Sequence, residues 1–122
     1  MGVNNIKFKA KRIDNNEWVE GYFYKVHNNN YIMRDNVTPA KLVDPSTVCQ
    51  YTGLKDENGK DVWEHDIIAV PVPLFKGEII FSGGCFRVKS DDDSSFPFTN
   101  LLIIDDKIDY CRVIGNKFDK KE

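Results

Sequence analysis

Residues Gln50–Ile68 read QYTGLKDENGKDVWEHDII, and this run decides the fold. At its centre, Lys55–Lys60 (KDENGK) holds Asn58-Gly59, the dipeptide that supplies the positive φ a tight hairpin requires. Thr47–Tyr51 carries a β pattern before the turn. Val62–Val70 follows it as one strand that begins half-polar and ends fully apolar. Two β segments across an Asn-Gly turn predict antiparallel pairing.

Period two also dominates toward the N-terminus. Ile6, Phe8 and Ala10 alternate with Lys7, Lys9 and Lys11, placing apolar groups on one face and ammonium groups on the other. Asp14-Asn15-Asn16 ends that strand with turn formers. Trp18, Glu20, Tyr22, Tyr24 and Val26 then alternate with Val19, Gly21, Phe23 and Lys25. Both faces carry large side chains, so this strand is expected to be covered on both sides. His27–Asn30 (HNNN) turns the chain into a return strand, Tyr31–Arg34. Between Asp35 and Ser46 the pattern lapses. Pro39 and Pro45 each remove a backbone donor, leaving room for at most an edge strand or one helical turn.

Toward the C-terminus, Pro71 and Pro73 close the strand that Val62 opens. Gly77–Phe81 (GEIIF) is the next strand, and Ser82-Gly83-Gly84 turns it into Cys85–Lys89. Asp91–Ser95 (DDDSS) reads as a solvated loop. Leu101–Ile104 and Tyr110–Ile114 are expected to pair across Asp105-Asp106-Lys107. No window of length reads as an amphipathic helix. Five or six short strands from Gln50 onward argue for a small barrel or sandwich.

The 122 residues suit one domain, or one domain with a small appendage. Eight Phe, five Tyr and two Trp supply the large apolar area that pleated surfaces use. Cys49, Cys85 and Cys111 are odd in number and widely spaced, and no hydrophobic leader opens the sequence. A reducing cytoplasm is therefore the expected compartment. The apolar run Leu101–Ile104 is too short to span a bilayer, so no membrane role is expected. Ile6 stands where a myristoylation signal carries Ser or Thr. Asn36-Val37-Thr38 matches a glycosylation site that a non-secreted chain never uses.

Residues 1–60 hold nine basic and seven acidic side chains, and residues 61–122 hold eight and twelve. Balances of +2 and −4 lack the strong basic excess of a dedicated nucleic-acid domain.

The central run also carries a resemblance. Gln50, Tyr51, Thr52, Gly53, Asp56, Gly59, Trp63, Glu64, Asp66, Ile67 and Ile68 resemble the signature of the YopX family of phage and prophage proteins. The opening IKFKAKRID and Val113–Asn116 (VIGN) are similar to that family's first strand and closing motif. The resemblance implies an all-β fold: a small antiparallel SH3-type barrel over 49–118, a β-rich N-terminal segment over 1–48, and a frayed tail over 119–122. It implies a phage or prophage origin, inside a bacterial host cell, and no assigned activity. His65 departs from the pattern, standing where the family has Gly. If that position takes positive φ in a tight turn, His costs about 1 kcal/mol of local strain.

Asp91, Asp93 and Ser95 alternate like a calcium loop, but Phe96 replaces its Gly and Leu102 its closing Glu; the loop from Asp56 ends on Ile67. Two histidines and three scattered cysteines lack zinc spacing, so no metal or cofactor is expected. Cys49 has His27 or His65 as a conceivable activator, but a buried apolar role suits a lone Cys better. Glu64 and Asp66, at i and i+2, project to one face of an extended strand. An acid/base pair there competes with neutralisation by Lys60 or Arg87. No phosphate loop or nucleophile elbow occurs, and no enzyme is expected.

The expected function is that of a non-enzymatic accessory protein binding another protein or associating with itself. The alternative is a nucleic-acid module using Lys7, Lys9, Lys11 and Arg12, the basic cluster of the first strand. Alternating lysines also serve as edge protection. Asn15, Asn29 and Asn30 offer hydrogen bonds but no stacking platform, and the alternation of Tyr22, Phe23 and Tyr24 suggests core.

Overall fold

A computed structural model describes residues 7–34, 39–71, 74–90, 94–97, 101 and 103–119. Expectations resting on Ile6, Asn36–Thr38, Pro73, Asp91–Asp93, Leu102 and residues 120–122 lie outside the described residues. The chain divides into two compact units, Met1–Tyr51 and Thr52–Glu122. Both are built from strands; among the described residues there is no α-helix, and the one helical turn is a 3-10 turn.

In the first unit, β1 (Phe8–Lys11) lies between β2 (Trp18–Val26) and the start of β5 (Cys49–Lys55). Beyond β2 come β3 (Asn29–Met33) and the two-residue β4 (Lys41–Leu42), all antiparallel. The 3-10 turn Pro45–Thr47 follows, its first turn capped by Asp44 Oδ1 accepting from Ser46 N–H at 3.0 Å. The stretch the prolines interrupt thus forms both an edge strand and a helical turn. Ala10, Val19, Ile32 and Val43 are buried, with Phe8, Phe23 and Val48 packed against them. Gly21 sits where β2 presses on β3: a Cβ there would lie 2.3 Å from Met33 O.

In the second unit, β5 turns at Glu57–Gly59 into β6 (Asp61–Trp63). Gly59 adopts φ 82, as the Asn-Gly pair predicts. Asp56, 1% exposed, organises the turn: Oδ1 accepts from the N–H groups of Asn58 and Lys60, both at 2.9 Å. Its Oδ2 accepts from Val113 N–H at 3.0 Å. Next come β7 (Asp66–Pro71), β8 (Leu74–Ser82), β9 (Cys85–Ser90) and β10 (Ser95–Pro97). A short hairpin of β11 (Ile103–Ile104) and β12 (Lys107–Ile108) precedes β13 (Arg112–Asn116). β12 meets β5 in parallel at Lys107 and Lys55. The remaining strands run in the order β10-β9-β8-β7-β13, antiparallel throughout. Val62, Ile68, Ile79, Val88, Ile108 and Cys111 form the buried centre.

The all-β expectation holds. Among the described residues the strands form two hydrogen-bonded sheets, and neither closes into a barrel. Four local expectations are corrected. Val62–Val70 is not one strand, because a turn at Glu64-His65 separates β6 from β7. β8 begins at Leu74 rather than Gly77, since Pro71 still pairs with Leu74. Ile103–Ile104 pairs with Lys107–Ile108, and β13 returns to β7 instead. Asp105 and Asp106 make that hairpin with φ 52 and 63, since Asp tolerates the left-handed region without a Gly signal. Finally, β2 is not covered on both sides, because Tyr22, Tyr24 and Val26 are exposed on the face where Trp18 is half-buried.

Candidate functional site

The uncovered face of β2 follows from strand periodicity. Val19 and Phe23 point into the core of the first unit, so Trp18, Glu20, Tyr22, Tyr24 and Val26 point away from it. Register extends this outer face: Tyr22 lies opposite Met33, Tyr24 opposite Tyr31, and Tyr31 opposite Leu42. Tyr22 is 55% exposed, Tyr24 36%, Val26 45% and Leu42 45%. The rings of Tyr24 and Tyr31 stack, with centroids 5.3 Å apart and planes 19° from parallel. Tyr22 and Tyr24 are therefore not core residues, and their rings stand on an exposed face.

The lysine stripe of β1 borders the same face. Lys9 pairs with Glu20 in register, and its ammonium sits 4.5 Å from the Trp18 ring centroid. Lys7 lies 4.6 Å from the Tyr51 ring centroid and 3.9 Å from Glu20 Oε1. Lys11 reaches the Trp18 ring at 5.3 Å but is only 6% exposed. Cation–π contact holds these side chains in place while leaving them charged. Arg12 is engaged elsewhere: its guanidinium donates to both Asp14 oxygens, at 3.0 and 2.6 Å. That contact holds the Asp14 carboxyl below its ordinary range. Lys7, Lys9 and Lys11 thus gather beside aromatic rings, and Arg12 does not join them.

A second cluster forms in the other unit around His65. Its backbone has φ 70, in the left-handed region where Gly is at ease. The turn is held by His65 N–H donating to Ile79 O at 2.6 Å and Lys117 N–H donating to His65 O at 2.8 Å. His65 Nδ1 lies within hydrogen-bond distance of Glu78 Oε2, at 2.9 Å. Nε2 faces Glu64 Oε2 at 3.6 Å, and the Phe118 ring meets the imidazole edge-on at 5.1 Å.

Glu64 and Asp66 do not share a strand face, because the turn between them ends the extended geometry that an acid/base pair needs. Asp66 is 2% exposed, its Oδ2 accepting from Trp63 N–H at 2.7 Å and its Oδ1 from Asn116 Nδ2 at 2.9 Å. This carboxylate pins a turn. Sequence reasoning missed Glu78 and Phe118 as neighbours of His65, since they stand 13 and 53 residues away with no local signal.

The thiols are placed as structural groups. Cys49 is fully buried, its Sγ donating to Thr47 O at 3.3 Å. Burial pushes the Cys111 thiol up to about 12, with the Asp56 and Glu57 carboxylates adding to the shift. Among the described residues, no three His, Cys, Asp or Glu side chains are grouped to hold a metal ion. Nor is any helix there long and apolar enough to cross a membrane.

The family model described as YopX protein matches residues 1–122. No curated protein matches the chain.

Proposed function

We propose, for a chain that belongs to the YopX family, a non-enzymatic accessory role in a phage or prophage, exerted by binding through the outer face of the first unit's sheet. The observation that carries this reading is the exposure of Tyr22, Tyr24, Val26 and Leu42 on one contiguous face. Contiguous exposed apolar area marks interaction surfaces, and Tyr is enriched at them because it brings area at low entropic cost. The His65 cluster supports a latch more than a reaction, since its imidazole meets two carboxylates and a phenyl edge while its backbone N–H and C=O are bonded to Ile79 and Lys117.

The same proposal takes the second unit as SH3-type. A meander β7-β8-β9-β10 whose last partner, β13, returns to β7 supports that reading. The site of action is then the cytoplasm of the bacterial host, in keeping with three free cysteines.

The test compares the full chain with its Tyr22→Asp/Tyr24→Asp variant. Sedimentation velocity reads self-association, and capture from a bacterial lysate reads retained protein or nucleic acid. The expected result is an association present in the parent and lost in the variant. A strict monomer that retains nothing, or retention identical in both, overturns the reading.

A further inference from the structure

Resting on that binding reading, we propose that the occupant of the outer face is single-stranded nucleic acid. Three observations converge on it. Tyr22 and Tyr24 are two residues apart on β2, which sets their Cα atoms about 7 Å apart with both side chains on one face. Every base offers a π-face to such rings, so the platform accepts bases without reading their edges. The Tyr24 and Tyr31 rings stack on one another, which extends the aromatic surface across the two strands.

The second observation is the position of the charge. Lys9 stands on the adjacent strand and Lys7 just before it, each anchored on an aromatic ring. Anchored ammoniums lose little freedom when a phosphate arrives, and Lys7 keeps a side-chain exposure of 30%. A phosphate competes there with Glu20, 3.9 Å away. Lysine is depleted at protein–protein contacts, so a lysine border around tyrosines favours a phosphate-bearing partner over an apolar protein. Lys11 stays outside the contact, being 6% exposed.

The third is the division of charge along the chain. Residues 1–51 hold seven basic and five acidic side chains, a balance of +2. The remaining residues hold ten and fourteen, a balance of −4, and the two sum to the chain's −2. The unit that carries the aromatic face is the positive one.

The experiment is fluorescence anisotropy of the full chain with labelled oligothymidine and oligouridine of roughly twelve nucleotides, and with a duplex of equal length. Binding is expected to favour the single strands and to weaken steeply between about 50 and 200 mM salt. Tyr22→Ala and Tyr24→Ala should each weaken it on the order of tenfold. Lys7→Gln with Lys9→Gln should flatten the salt dependence. Circular dichroism of each variant confirms that the fold is kept. No binding at low salt, equal affinity for duplex, or indifference to the tyrosine changes overturns the inference. If no oligonucleotide binds while Tyr22→Ala/Tyr24→Ala disrupts self-association or releases an acidic protein, the inference fails and the binding reading stands. If none of these is seen, both fail.

Discussion

Asn116 donates from Nδ2 to Asp66 Oδ1 at 2.9 Å, joining residues fifty positions apart in the chain. The same Asn accepts from Phe118 N–H through Oδ1 at 2.9 Å, and its own N–H donates to Asp119 Oδ2 at 3.0 Å. One amide therefore ties the turn that bears His65 to the end of β13. Asn116→Ala removes a donor from a carboxylate that is 2% exposed. The expected cost is about 2–3 kcal/mol, read as a lowered urea midpoint with an unchanged m-value.

His65 tests whether its backbone is strained. His65→Ala loses the Glu78 and Phe118 contacts and keeps a Cβ at φ 70. His65→Gly loses the same contacts and removes the Cβ. The Gly variant should be the more stable of the two by about 1 kcal/mol, the left-handed cost outweighing glycine's extra chain entropy. Equal urea midpoints, or a more stable Ala variant, would show an unstrained turn.

Cys111 should resist modification. With its thiol raised to about 12 by burial, Asp56 and Glu57, the native protein keeps it protonated at pH 8 and slow toward iodoacetamide. The unfolded chain, with a thiol of ordinary acidity, ionises first as pH rises. The folded state thus binds the extra proton, and this contribution is intact below about pH 9 and lost progressively toward pH 12, at up to about 1.4 kcal/mol per unit. Denaturant titrations of the parent against Cys111→Ala across that window isolate the loss from other groups.

Gly21→Ala is expected to be the most damaging of the small changes. The new Cβ would meet Met33 O at 2.3 Å and Met33 C at 2.7 Å, both backbone atoms of the paired strand. Strands β2 and β3 must separate to admit it, at about 3 kcal/mol or more. Gly59→Ala meets nothing within 4 Å and carries only the cost of φ 82. A melting temperature lowered more at Gly21 than at Gly59 confirms the distinction.

What the sequence determined alone was what neighbouring residues determine between themselves. Alternation along Phe8–Lys11 and Trp18–Val26 set two strands, and Asn58-Gly59 set a hairpin. Each depends on sterics within a few bonds. The motif from Gln50 to Ile68 likewise carried the family, and in the structure its Asp56 and Asp66 serve turns.

Tertiary structure decided the rest, because cover and pairing belong to distant residues. Alternation placed Phe23 opposite Tyr22 and Tyr24 in facing but did not say which side would be dry. Ala10, Ile32 and Val43 settle that by packing on the side of Phe23 and leaving the tyrosines in water. The break at Glu64-His65 was signalled only by the family's Gly at His65, and Val62–Val70 still read as one strand because a histidine does not itself announce positive φ. It stands because Ile79, Glu78 and Lys117 hold it from elements that fold back from far along the chain.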